Sequence, residues 1–212
     1  MEPLISPTPD NWQHRRLDEL CTVQSGPGGS ILKATDRVAF GIPVIKTVDI
    51  GDGRITAAPP FMVGEEKARR LDRYRLAEDD ILLARLRATT SHALITSVES
   101  GWLMGGSTIR VRVTEAAGSE LLPRYLSCYL RHPSVHEFLT RQIKQGLVPS
   151  FTSTIVGGLP LALPPLEIQR RVVEVAQAIH DKIEAHEQII HATRELGGAL
   201  IPRLVSGEVT AT

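Results

Sequence analysis

The stretch PLALPPLEIQRRVVEVAQAIHDKIEAHEQIIHA, residues 160–192, decides how this chain divides. Pro164 and Pro165 stand where a helix begins, because the first-turn N–H groups have no intrahelical partner for a proline to remove. Glu167 places a negative charge near the positive end of the helix dipole. Apolar residues then recur at Ile168, Val172, Val175, Ile179, Ile183, Ile189 and Ile190, the spacing of one helical face. Gly197-Gly198 is the predicted stop. A helix over residues 165–196 runs to roughly 48 Å at about 1.5 Å per residue. That exceeds the width of a small domain, so the stripe must project or lie along a partner. Lys182, His186 and Thr193 fall at seam positions, as in a coiled coil with a polar middle. The alternative is a terminal helix folded back on its own domain.

Upstream of this helix the pattern changes. From Trp12 to Val113 the chain reads as β-rich and broken by turns. WQHRRLDELCTVQSG is a strand or short helix that turns at Ser25-Gly26, and GPGGSILKATD is a glycine-rich loop. A strand over Ile42–Val48 precedes a turn at Asp52-Gly53. EEKARRLDRYRL reads as a charged helix, and DDILLARL as a buried strand. HALITSV and STIRVRV alternate, the latter with Ile109, Val111 and Val113 on one face. Leu122, Leu126, Tyr129 and Leu130 then recur at helical spacing, with a break at Pro133 and a second helix. QGLVPSFTSTIVGGLPLALPP reads as extended. The fold class expected is α+β: a short disordered lead-in over 1–11, a mixed β-rich domain over 12–163, and a long helical, coiled-coil-like region over 164–212.

Composition narrows the function classes. Lys+Arg and Asp+Glu both number 24 among 212 residues. Net neutrality argues against a purely electrostatic nucleic-acid binder, though not against a base-reading one. Residues 161–212 carry five of the basic residues and seven acids, so any basic surface belongs to the first part. Cys21 and Cys128 are far apart and form no CxxC pair, as expected of reduced thiols in a cytoplasmic protein. No apolar run is long enough to span a membrane. His180, His186 and His191 miss the spacing that puts metal ligands on one helical face, so no metal is expected. Asp52 with Glu65-Glu66-Lys67 only faintly echoes a nuclease centre. The glycine-rich loop lacks the GK[ST] ending of a phosphate-binding P-loop.

The order of these motifs resembles the DNA-specificity subunits of type I restriction–modification systems. The resemblance is carried by Leu163-Pro164-Pro165-Leu166-Glu167, by Gln169-Arg170-Arg171-Val172-Val173 and by the closing Leu204-Val205-Ser206-Gly207-Glu208-Val209. RRLDELCTVQSG, GIPVIKTVDIGDGRI and YRLAEDDILLAR fall upstream in the family's order, so nearly the whole chain is covered. Two features depart from the pattern: Asp79 stands where the family has glycine, and ARLRATTSHA lacks the usual glycines. Full-size members carry two recognition domains and two helical regions, whereas one of each is present here.

The resemblance implies that residues 12–163 form a target-recognition domain for double-stranded DNA. Arginine forks, hydroxyls and amides suit base edges and phosphates. Three loops are candidates: Ser30 and Lys33; Arg85, Arg87, Thr89, Thr90, Ser91 and His92; and Lys144, Gln145, Ser150 and Thr152. Ile168, Val172, Val175, Ile179, Ile183, His186 and Ile190 would form the seam with a second copy. The resemblance further implies a methyltransferase subunit carrying S-adenosylmethionine, with a restriction or translocase subunit as a further partner. This chain itself would be non-catalytic, bind no cofactor and touch no membrane. A coiled-coil protein-interaction module, or a DNA-binding regulator with no enzyme partner, are the competing readings.

Overall fold

The computed structural model describes residues 4–5, 8–56, 61–85, 91–142 and 150–208. The chain divides into two compact units, Met1–Arg170 and Arg171–Thr212.

The first unit is a mixed α+β body. β1 (Gln13–Arg16) leads into α1 (Leu17–Leu20) and then β2 (Cys21–Ser25), so the stretch read as strand or helix is both in succession. β3 (Arg37–Val38), β4 (Ile42–Ile45), β5 (Asp52–Gly53) and β6 (Met62–Val63) follow. β4 is shorter than predicted because Thr47–Asp49 tightens into a 3₁₀ turn. Helix α2 (Glu65–Arg70) and a 3₁₀ turn at Asp72–Tyr74 take up the charged segment. β7 (Ile81–Ala84), β8 (His92–Leu94), β9 (Leu103–Met104) and β10 (Thr108–Val113) complete the strand-rich part.

β2, β10, β7, β8 and β5 form a five-stranded sheet in that order, while β3, β6, β4 and β9 form a four-stranded one. β10 is an inner strand and pairs antiparallel on both sides, with Val111 opposite Val23 and Ile81. A central strand is covered on both faces, and all four residues of β7 are buried accordingly. One core cluster gathers Val44, Ile45, Val63, Leu71, Tyr74, Leu82, Ile95, Leu103 and Met104, drawing on both sheets and on α2.

Helices α3 (Pro123–Leu130) and α4 (Pro133–Arg141) each start on a proline, as the break at Pro133 predicts. The segment read as extended contains a helix, α5 (Ser153–Gly157), before β11 (Pro160–Leu163). Thr152 makes this helix possible, since its hydroxyl accepts from Ile155 N and satisfies an orphan donor. β11 returns to pair antiparallel with β1.

The last helix, α6, spans Leu166–Val205, 40 residues, or about 60 Å. It runs through Gly197 and Gly198 and past Pro202, beyond the predicted stop. Two glycines lower helix propensity by about 1 kcal/mol each without forbidding the conformation. The first turn of α6 belongs to the first unit. There Gln169 is fully buried and acts as a clamp. Its Oε1 accepts from Leu122 N at 2.9 Å, and its Nε2 donates to Glu120 O at 2.7 Å and Pro164 O at 2.9 Å. The second unit presents its stripe to solvent: Val175, Ile179, Ile183 and Ile190 are between 49% and 61% exposed. Ile168 and Val172 are half-buried, and His186 is exposed. No helix among the described residues is long and apolar enough to cross a membrane.

Candidate nucleic-acid interface

Sheet register fixes which loops meet. Gly26 N donates to Thr108 O, and Arg85 N donates to Ser107 O. The end of β2, the end of β7 and the start of β10 therefore share one edge of the five-stranded sheet. His92, at the start of β8, pairs with Leu83 near the same edge. Three connections leave from this edge: the glycine-rich loop after β2, the loop from Arg85 to Ser91, and the Gly105–Ser107 turn. The first loop predicted to touch DNA and the described ends of the second are thus brought together.

The close approach explains the glycines. A Cβ at Gly26 would stand 1.9 Å from Gly105 O, and one at Gly105 would stand 2.6 Å from Ile45 O. No other side chain fits at either point, so backbone lies against backbone. Beside this junction opens a cleft of about 350 Å³, lined among others by Lys33, Lys46, Thr47, Phe61, Gly106 and Ser107.

The two lysines reach the cleft by the same local device. In Lys33-Ala-Thr-Asp36 and Lys46-Thr-Val-Asp49, a 3₁₀ turn follows the lysine. The aspartate three residues on accepts the lysine's own N–H, at 2.7 Å and 2.8 Å. Asp36 also receives Lys67 Nζ at 3.0 Å. Its carboxyl is held below the ordinary aspartate range, first by the Lys33 N–H and then by Lys67. Lys46 Nζ lies 4.0 Å from the Phe61 ring centroid, a cation–π contact that holds the ammonium at the cleft wall. Neither lysine makes an ion pair among the described residues. Sequence reading named Lys33 and missed Lys46, Thr47 and Ser107. The repeated Lys-x-x-Asp spacing was the available signal.

The other expected site residues are distributed unevenly. Ser30 and Lys33 are exposed on the first loop. Arg85 and Ser91 flank the second loop, half-buried, and Arg85 Nε makes no hydrogen bond among the described residues. Arg87, Thr89 and Thr90 lie outside the described residues, as do Lys144 and Gln145. Thr152 is exposed but serves as the cap of α5, a helix that packs on β2 and α1; Ser150 precedes it, half-buried.

His92 is buried, with Nε2 2.9 Å from Ser127 O and 3.2 Å from Ser127 Oγ. This contact ties β8 to α3.

The arginines of β10 are also committed to the fold. Arg112 grips the buried carboxylate of Asp80 with two hydrogen bonds of 2.6 Å, and this pair raises the Arg112 pKa further. Arg110 donates to Arg75 O at 2.7 Å and to Gln24 Oε1. Its pKa is lowered, chiefly by burial and then by Arg112. On α2 and the turn after it, Arg70 pairs with Glu66 and Arg75 with Asp72, the arrangement of a solvated face. Burial pushes the Cys21 thiol up to about 12 and raises Cys128 as well, so neither is a poised nucleophile. Among the described residues no group of three His, Cys, Asp or Glu could hold a metal ion.

A family model, described as the type I restriction modification DNA specificity domain, matches residues 9–193. The chain belongs to that family. The match takes in the cleft, the convergent loops and most of α6. No curated protein matches the chain. Solved structures show the same fold. A chain from work on complex assembly and conformational transition of the type I R-M system aligns with TM-score 0.62 and 18% identity, over 93% of this chain and 46% of that one. The HsdS subunit from Thermoanaerobacter tengcongensis aligns with TM-score 0.57 and 18% identity, over 96% and 47%. The type I S subunit from M. genitalium gives 0.65 and 14%, over 97% and 49%. The specificity-domain chain thus spans about half the length of the solved proteins it matches.

Proposed function

We propose that this chain is a sequence-specific DNA-recognition component of a type I restriction–modification complex. The observation that carries the reading is the family match, which runs through both the mixed unit and the long helix. The convergent loop edge supplies a surface of hydroxyls, lysines and an arginine suited to a duplex groove. The chain contributes recognition and no catalysis. S-adenosylmethionine and the methyl transfer belong to a methyltransferase partner, and a restriction or translocase subunit joins the same assembly. The protein acts in the cytoplasm.

The exposed stripe of α6 calls for a partner helix, and a second copy of the chain supplies one of matching pattern. Two copies paired through α6 read a bipartite site, each taking one half. Two-fold symmetry then favours an inverted repeat, and the helix length sets the gap between its halves.

Selection from a randomised duplex library, with and without the methyltransferase subunit and at two salt concentrations, tests this. Enrichment of an inverted repeat with a fixed gap is the expected result. Retention that is only salt-sensitive and sequence-blind would replace this reading with a protein-interaction module.

A further inference from the structure

We infer that the cleft between the glycine-rich loop and the Gly105–Ser107 turn is a phosphate seat, which grips one backbone phosphodiester of the bound duplex. The inference rests on the DNA-recognition reading above and assigns a specific anchoring point within it.

Three observations carry it. The first is charge. Lys33 and Lys46 approach the cleft from separate loops, and neither forms an ion pair among the described residues. An anion in a cleft lined by two cationic residues gains from both. The adjacent aspartates form no direct ion pair with them: each carboxylate bonds its lysine's backbone N–H, and Asp36 is further shared with Lys67, so Lys33 meets Asp36 only at longer range.

The second observation is the complement of donors. Thr47 and Ser107, both hydroxyl-bearing, line the same cleft, and Gly29 and Gly106 line it without side chains, leaving room for close approach to the backbone. Ammonium, hydroxyl and bare main chain are the groups that hold phosphate oxygens.

The third observation is position. Ser107 O is hydrogen-bonded to Arg85 N, so the seat borders Arg85, a candidate base-reading residue. A phosphate fixed here would set the register of the duplex against Arg85. Phosphate contacts orient and base contacts specify, and the seat would serve the first of these. The Phe61 ring beneath Lys46 restrains the ammonium, so less side-chain freedom is lost when the phosphate arrives.

The test compares the full chain with Lys33→Gln/Lys46→Gln and Lys33→Arg/Lys46→Arg variants, with Arg70→Gln on the solvated face of α2 as a control. Duplex affinity is measured across a salt series, with and without the methyltransferase subunit. The Gln pair should lower the slope of log affinity against log salt by about 1, the loss of one phosphate contact. It should weaken all sequences alike, and the Arg pair should restore the slope. Both lysines are exposed, so thermal melts of the variants should match the parent.

An unchanged slope in the Gln pair, with target selection intact, overturns the seat and leaves the DNA-recognition reading standing. Altered preference at particular base pairs also overturns it, since the lysines would then read bases. Stabilisation by inorganic phosphate over chloride at matched ionic strength, lost in the Gln pair while the DNA slope holds, reassigns the cleft to a free anion. A parent chain that retains no duplex under any condition removes the function reading and the seat together.

Discussion

The two units spend their apolar residues in opposite ways. In the first, Leu82, Ile95, Leu103 and Ile109 are at most 1% exposed and lie between two sheets and their helices. In α6, side chains of the same chemical type stand at regular helical spacing, and Val175, Ile179, Ile183 and Ile189 are at least 50% exposed. The sheet-and-helix unit is complete in itself, because each element meets another at about 10 Å spacing. Among its described residues the second unit is a single helix, with no second element of its own to close against. Burying one Ile or Val side chain contributes roughly 1.5–3 kcal/mol, so the stripe holds association energy that the chain alone does not use.

The sharpest way to break this contrast is to charge the stripe. Val175→Asp with Ile179→Asp should abolish pairing of two copies, at a cost of roughly 3–5 kcal/mol for unpaired charges in a closed seam. The melting of the first unit should be untouched. Light scattering that shows an unaltered mass would count against the seam. The reciprocal change is Leu82→Ala, which should cost the first unit about 2–5 kcal/mol by opening a cavity in a fully buried strand. Denaturant titration reads that loss, whereas Ile183→Ala should leave the isolated chain's stability within about 0.5 kcal/mol.

Gln169→Ala probes the point where α6 is tied into the first unit. It strands Leu122 N and two carbonyls, so a loss of about 1–3 kcal/mol is expected in the same titration. Gln169→Glu should also destabilise, because a carboxylate cannot donate to Glu120 O or Pro164 O.

A smaller effect concerns pH. The Asp36 carboxyl is lowered in the folded chain, so its stabilisation is present above the ordinary aspartate pKa of about 3.9 and lost as pH falls through the folded value. Amide exchange around residues 33–36 should rise below about pH 4 before the core opens, and Asp36→Asn should show the faster exchange already at neutral pH.

The smallest effect is expected at Asp79. It has φ of +66°, the one non-glycine residue with positive φ among the described residues. The family's glycine at this place has no Cβ to strain there. Asp79→Gly should stabilise the turn into β7 by under about 1 kcal/mol, readable as a small rise in melting temperature.

That turn shows how sequence and structure divide the explanation. Asp79 was visible as a departure from a pattern, but only its backbone angle gives the reason the pattern prefers glycine. Similarly, Gln169 was legible as part of a motif leading into a helix. Its role as a three-bond clamp depends on Glu120 and Leu122, some 47 to 49 residues earlier in the chain, and periodicity does not report such partners. The burial of His92 is hidden from the sequence for the same reason. A histidine beside a polar loop reads as exposed, until α3 brings Ser127 against it.

By itself the sequence determined the class of each long element: the proline-led helix with its stripe, the alternating strand at Thr108–Val113, and the α+β division. These follow from local sterics and from spacing along the chain, which neighbouring residues specify. Tertiary structure alone decided that Lys33 and Lys46 share a cleft, that Arg110 and Arg112 serve the fold, and that β11 returns to β1. Each of these depends on chain segments distant in sequence meeting in space, and the sheet order 2-10-7-8-5 that joins them is set by how the whole core packs, not by any one segment's pattern.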